Sequence, residues 1–374
     1  MKKTWKIFAI VTALLIAVIS TGCAKGGGGV KLGLLFPMTG PVPTYGKSSQ
    51  EGAELAINEW NDKGGVLGSD VEWVLADGGC DGATATDAAN KLIDQDGVKF
   101  IVGEVCSSAS IPVSEVANPA KVLQISPTST NPKVTLGKPY VFRACFLDPF
   151  QGEVTASFAM NDLGAQTAAV MYDKGNDYVL GLAEYFKSSF ESMGGTVLVY
   201  EAYTEADTDF SAILSKVADA NPDVLFLPDY YSKVNLIGKQ AKEKGITADL
   251  LGADGWDSAD LDLSAVEGGY FSNHYSPQDP RPMVASFLAN YQAAYGSAPD
   301  ALAVLAYDAT NVLLQAIKDA GTTDTEKVRD TLAAIKFEGI AGEITFNDEG
   351  DPIKTAAINK VTLDGYEFVK FVAP

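Results

Sequence analysis

A single histidine, His274, stands in 374 residues. That scarcity excludes zinc centres built on two or three imidazoles, and it leaves a Ser-His-Asp relay one residue to draw on. Positive charge is also short. Lys and Arg number 28 against 48 Asp and Glu, a formal net charge of −20. So acidic a surface repels phosphate backbones, which argues against nucleic acid as a partner and against docking on an anionic lipid face. Beyond residue 19 no apolar run is long enough to span a bilayer, which takes about 20 residues. Neither a G-x-S-x-G elbow nor an H-E-x-x-H helix occurs.

What is present has globular composition, with 47% hydrophobic and 20% charged residues. The length suits two domains or one large one. The N-terminus is a separate matter. Lys2, Lys3 and Lys6 precede residues 7–19, which are apolar except for Thr12, and Ser20-Thr21-Gly22-Cys23 follows. A basic start, a short apolar run and small residues at a cut describe a secretory signal over 1–22. Cys23 after small residues resembles a bacterial lipobox, where the thiol is lipidated and becomes the first mature residue. Residues 23–29 then read as a glycine-rich tether. Export also permits a disulfide. Three thiols remain, Cys80, Cys106 and Cys145. Cys145 lies in a buried-strand pattern at 140–146, where a free thiol behaves as a small hydrophobe. That leaves Cys80 to pair with Cys106.

From residue 30 onward, short apolar runs alternate with helical patterns. Strands are expected at 30–36, 71–76, 100–102 and 122–125, with helices between them. Ala53, Ala56, Ile57 and Trp60, for example, recur at i, i+3, i+4, i+7. The alternation restarts after Asp148, with helices at 150–163, 178–193, 210–220 and 233–244 and strands at 168–172, 196–200, 224–227 and 248–251. Strand–helix alternation means parallel sheets with helices on both faces, and two series mean two doubly wound lobes. The end differs. Helices at 282–295, 302–317 and 326–335 precede strands at 343–346, 357–363 and 367–372, so the tail is expected to return to both lobes.

Two motifs approximate a phosphate loop and a calcium loop without meeting their requirements. Gly40 to Ser48 approximates a phosphate loop, but five residues separate its glycines and Pro41 and Pro43 lack N–H groups. Asp254, Asp257, Asp260 and Asp262 lack the alternate spacing, central Gly and final Glu of a calcium loop. His274 reads as a structural or rim histidine. No metal and no cofactor is expected.

Several separated stretches carry a resemblance. They are Leu34-Leu35-Phe36-Pro37-Met38-Thr39-Gly40-Pro41, Asn58-Glu59-Trp60-Asn61-Asp62-Lys63-Gly64-Gly65, Gly103-Glu104-Val105-Cys106-Ser107-Ser108-Ala109-Ser110, Ile125-Ser126-Pro127-Thr128-Ser129-Thr130-Asn131-Pro132 and Leu251-Gly252-Ala253-Asp254-Gly255-Trp256. In this order they resemble the leucine/isoleucine/valine-binding proteins of bacterial ATP-driven importers, from about residue 30 to the C-terminus. The resemblance implies a type I periplasmic-binding-protein fold of two lobes joined by three crossovers, near residues 147–148, 275–277 and 354–355. The N-lobe is then 30–147 with 277–354, and the C-lobe 148–276 with 355–374. It implies the Cys80–Cys106 pair as well, and no covalent chemistry.

The ligand it implies is a zwitterion. The carboxylate needs donors, which Ser107 and the following helix N-terminus supply; Ser107 as a plain N-cap is the alternative. The ammonium needs acceptors, matched by the Thr128 carbonyl, the Thr130 hydroxyl and Asp254. The family usually has Glu at that last position, and Asp is one methylene shorter. Tyr45, Tyr178, Tyr230, Leu302 and Val105 match positions around the ligand side chain. The expected protein is an exported, lipid-anchored monomer that captures an amino acid, branched-chain or otherwise apolar, and delivers it to permease subunits. A ligand-sensing module, a binder of a short amide or aromatic acid, and, more weakly, an extracellular hydrolase are the rivals.

Overall fold

The inner strands of the first series are mostly apolar, and the structure buries them on both faces, whereas the edge strand at 72–77 is exposed to half-buried. The computed structural model describes residues 29–374. The expected signal segment, Cys23 and the tether up to residue 28 lie outside the described residues. The chain runs β1 (Lys31–Phe36), α1 (Pro43–Asp62), β2 (Glu72–Asp77), α2 (Gly82–Asp94), β3 (Phe100–Gly103), α3 (Ser107–Ala117), β4 (Leu123–Ser126) and β5 (Val141–Arg143). These five strands form an all-parallel sheet in the order β2-β1-β3-β4-β5. Every residue of β3 and β4 is buried, as helices on both faces require.

The second series follows as α4 (Asp148–Asn161), β6 (Thr167–Asp173), α5 (Asp177–Ser192), β7 (Thr196–Tyr203), α6 (Ser211–Ala220), β8 (Val224–Phe226), α7 (Tyr231–Glu243), β9 (Asp249–Gly252), the short α8 (Leu263–Val266) and β10 (Tyr270–Asn273). Then come α9 (Pro282–Tyr295), α10 (Ala301–Ala320), α11 (Thr325–Ala333), a small hairpin of β11 (Phe337–Gly339) and β12 (Gly342–Ile344), and finally β13 (Ala356–Thr362) and β14 (Gly365–Val372). The second sheet has the order β14-β13-β10-β9-β8-β6-β7. Its last two strands run antiparallel, and the others are parallel.

The tail returns to both sheets, as its broken pattern led one to expect. α10 packs on α1, β3 and β4, whereas β13 extends the second sheet beside β10. The α1–α10 contact is close because Gly52 faces it. A Cβ there would sit 2.0 Å from the Ala303 carbonyl oxygen. α10 starts under the Asp300 carboxylate, which accepts from the Ala303 N–H at 2.9 Å, and it stops at Gly321 with φ +65°. Three segments thus carry the chain between the sheets: β5 to α4, β10 to α9, and β12 to β13. A small second core of Cys145, Tyr275, Val284, Phe287, Tyr291 and their neighbours packs beside two of these crossings.

Ligands of open α/β sheets bind beyond the carboxyl ends of strands, where the strand order reverses. In the first sheet the reversal lies between β1 and β3, and Tyr45 and Ser107 follow those strands. In the second it lies between β6 and β8, and Tyr178 and Tyr230 follow those. The two crevices face each other across one cleft. The Asn131 side-chain amide donates across it to the Asp177 carbonyl at 2.8 Å, and the Asp177 N–H donates to Ser108 Oγ at 2.8 Å.

Candidate functional site

The site begins with how the loops after β3 and β4 are held. Cys80 and Cys106 form the expected disulfide, with Cα atoms 5.3 Å apart, while Cys145 is free and buried. Next to the bridge, Glu104 is fully buried. One of its carboxylate oxygens accepts from the Val105 and Cys106 N–H groups, both at 2.7 Å, and the other has no partner among the described residues. Burial pushes this carboxyl up to about 8, against the pull of those N–H groups. Hydroxyls then tie loop to loop. Ser126 donates to the Glu104 carbonyl at 2.7 Å, and Thr128 and Ser129 each donate to the Val105 carbonyl at 2.9 Å. Arg143 braces the outer side of the β4 loop. Its guanidinium donates to Asp351 at 2.6 Å, to Thr135 Oγ1 at 2.8 Å and to the Ser129 and Asn131 carbonyls.

Ser107 is not a cap. The N-cap of α3 is Cys106, which makes no side-chain cap bond, and Ser107 is the first helical residue. Its hydroxyl accepts from the Asn131 N–H at 3.3 Å. The first N–H groups of any α-helix lack intrahelical acceptors, so the turn that starts at Ser107 has donors to offer. Thr128 has its hydroxyl engaged on Val105, so its carbonyl is the group open to a further partner. Thr130 is fully buried and does not line the cavity. Its carbonyl accepts from the Asp148 N–H at 3.0 Å, and its hydroxyl lies beside the Asp148 carboxyl.

Across the cleft, Asp254 sits in a short turn after β9 and is 8% exposed. Three side chains surround its carboxylate. Gln151 Nε2 and the Tyr178 hydroxyl both donate to Oδ1 at 2.8 Å, and His274 Nε2 lies 3.1 Å from Oδ2. The Tyr178 oxygen also accepts from the Gly255 N–H at 3.0 Å. Burial and then the Asp254 charge raise the Tyr178 hydroxyl well above its ordinary range, so it stays a donor. Asp148, buried behind, is pushed up to about 8 by burial.

Aromatic rings close the remaining sides. Tyr178 and Tyr230 stack with centroids 5.2 Å apart, and Tyr45 meets Tyr230 edge-on at 5.6 Å. The Tyr45 hydroxyl donates to the Gly255 carbonyl, bridging the two sheets' loops. Tyr45, Val105, Ser107, Thr128, Tyr178, Tyr230, Asp254, Gly255 and Leu302 together wall a cavity of about 20 Å3, so the walls are drawn nearly together.

Eight of the nine expected ligand residues thus share one cavity, with Thr130 behind it. Gly255, Gln151, His274 and Glu104 were missed as contributors. Gln151 and His274 carry no local signal, because each reaches Asp254 only through packing, from 103 and 20 residues away. Among the described residues no group of three His, Cys, Asp or Glu side chains could hold a metal ion, and no helix is long and apolar enough to cross a membrane.

Comparison with known proteins gives a consistent picture. Residues 29–365 match the family model described as "Periplasmic binding protein". The chain is 35% identical over 330 residues to the leucine-, isoleucine-, valine-, threonine- and alanine-binding protein of Pseudomonas aeruginosa, covering 86% of this chain and 87% of that one. It superposes on the crystal structure of a leucine binding protein from Thermotoga maritima with a TM-score of 0.89 at 38% identity, over 92% and 99% of the two chains. A branched-chain amino acid transporter substrate binding protein from Streptococcus pneumoniae, solved with isoleucine, superposes with a TM-score of 0.88 at 30% identity, over 93% and 100%.

Proposed function

The chain belongs to the periplasmic binding protein family, and on that premise we propose that it captures an amino acid, branched-chain or otherwise apolar, and delivers it to the permease subunits of an ATP-driven importer. The lobes are 30–147 with 277–354 and 148–276 with 355–374. The observation that carries the ligand class is Asp254, a buried carboxylate on the cavity wall that accepts from the uncharged Gln151 amide and Tyr178 hydroxyl. These donors orient the carboxylate without cancelling its charge, so a cationic group of the ligand finds it intact. Ser107 and the start of α3 meet the ligand's carboxylate, and the Thr128 carbonyl adds an acceptor for the ammonium, while Thr130 supports that wall from behind through Asp148. A zwitterion suits such opposed ends. Tyr45, Tyr178, Tyr230, Val105 and Leu302 take the aliphatic side chain.

No step of the function breaks a covalent bond. Ligand contacts made by both lobes at once favour the closed form, a population shift that the permease reads as shape. The N-terminal reading adds export and a lipid on Cys23, with the glycine run as tether. Calorimetry against leucine, isoleucine, valine, alanine and threonine, with benzoate and acetamide as counter-ligands, tests the ligand class. Binding of an amino acid with no response to the others is expected. Binding of benzoate alone overturns the amino-acid reading. Mass spectrometry of the membrane-extracted protein tests the lipid.

A further inference from the structure

His274 is the only histidine of the chain, and the structure places it directly behind the residue that carries the cavity's charge. Its side chain is 1% exposed and the ring lies against the face of Phe146, with centroids 3.9 Å apart. Its Nε2 faces Asp254 Oδ2 at 3.1 Å, while its Nδ1 has no partner among the described residues. The backbone is fixed too, since the His274 N–H donates to Asn273 Oδ1 at 2.8 Å. On its far side His274 lines an open groove with Tyr275, Asp279, Arg281, Thr355 and Phe371.

We propose that His274 is the positioning residue of the ammonium site. As a neutral ring it aims Asp254 into the cavity; as an imidazolium it cancels the charge that the ligand needs. The proposal rests on the amino-acid reading above.

The electrostatics follow from the groups around the ring. Asp254 and Asp257 lie on the loop after β9, and Asp257 is itself held by Asn273 Nδ2 and the Ala301 N–H, both at 2.8 Å. Asp148 and Gln151 come from α4, and the field of Asp254 reaches Asp148. Asp279 and Arg281 pair with each other at 2.9 Å along the groove, and buried Lys354 precedes Thr355 there. Asp254 and Asp257 attract a positive charge placed on the ring. A bound ammonium on Asp254 opposes it, and the buried Nδ1, lacking an acceptor, opposes it further. Ligand and proton therefore compete. By reciprocity, acid weakens the ligand and the ligand expels the proton. Imidazole is the side chain that ordinarily changes charge between about pH 5 and 8, so this window is where the competition is read.

The test uses the protein purified without a histidine tag and L-leucine as probe. For the wild type the dissociation constant is expected to rise roughly 5- to 150-fold from pH 7.5 to 5.5, the usual range of such coupling. Calorimetry in two buffers of different ionisation enthalpy should show proton release on binding at pH 6. H274Q offers an amide at the same place that takes up no proton, so its leucine affinity should change far less between pH 7.5 and 5.5 than that of the wild type. The 2-oxo analogue 4-methyl-2-oxopentanoate, which lacks the ammonium, should not weaken in acid.

Because there is one imidazole, its magnetic resonance signal can be followed in the wild type even if the variant fails to fold. Its titration midpoint should fall when leucine is added. An unchanged midpoint overturns the proposal, and so does a wild-type profile retained in H274Q. Leucine binding with a flat wild-type profile overturns it while leaving the amino-acid reading intact. If the wild type binds no branched-chain amino acid at any pH, both fail together.

Discussion

Asp254→Asn separates charge from shape at the centre of the cavity. The wild-type carboxylate is 8% exposed and accepts at both oxygens. An ammonium about 4 Å away, at the effective dielectric of about 20 that suits protein sites, is attracted by about 4 kcal/mol. Truncating one partner of a desolvated, hydrogen-bonded charge pair costs about 2–5 kcal/mol, which brackets that figure. The expected loss of affinity is thus roughly 30- to 5,000-fold. Folding should suffer much less. With the amide oxygen toward Gln151 and Tyr178, its NH2 faces His274 Nε2, which accepts once the ring proton moves to Nδ1. Calorimetry with leucine and thermal unfolding of the ligand-free protein read the two effects apart. The wild type should gain about 2.7 kcal/mol of stability at a ligand concentration of 100 times its dissociation constant, and the variant almost nothing at the same concentration. Unchanged affinity in a folded variant refutes the reasoning, for the amine is then held elsewhere.

Ser107→Ala should weaken leucine binding by about 1–3 kcal/mol, by calorimetry, because a charged head group loses a partner; wild-type affinity in that variant moves the head-group site away from α3. Reducing the Cys80–Cys106 bridge, which closes a separation of 26 residues, should cost about 3–4 kcal/mol of stability in the chain-entropy model, measured by denaturant unfolding with and without reductant. Asp351→Asn leaves Arg143 buried without its counter-charge and should cost about 3–5 kcal/mol on the same assay. Glu104 carries a pH signature. Its carboxyl stands at about 8 folded against 4.5 unfolded, so the folded state binds the extra proton between those values. Wild-type stability should therefore fall as pH rises from about 4.5 to 8, relative to Glu104→Gln, whose amide oxygen can still accept from Val105 and Cys106. Thermal unfolding at pH 5 and pH 8 checks it, and equal pH dependence in both proteins refutes it.

Much of this protein could be read along the chain. The alternation of 30–36, 71–76, 100–102 and 122–125 with helical spacing reports local hydrogen bonding and two-sided burial, and these act within a few residues. The loops after strands carry recognisable residues, so Ser107, Thr128, Asp254 and the tyrosines were legible by motif and resemblance, and Cys80 and Cys106 by counting. The short α8 and β11 were not, being too brief to show a period. Only the tertiary structure decided what each polar group faces. It moved Thr130 behind the cavity wall, denied Ser107 the capping role, and set His274, read as a structural or rim histidine, in the interior against Asp254. It also joined Arg143 to Asp351 across 208 residues. Periodicity says which face of an element is buried. Which buried donor meets which buried acceptor depends on how two sheets and three crossings pack together, because no buried polar group is free to choose a partner that the fold has not brought within about 3 Å.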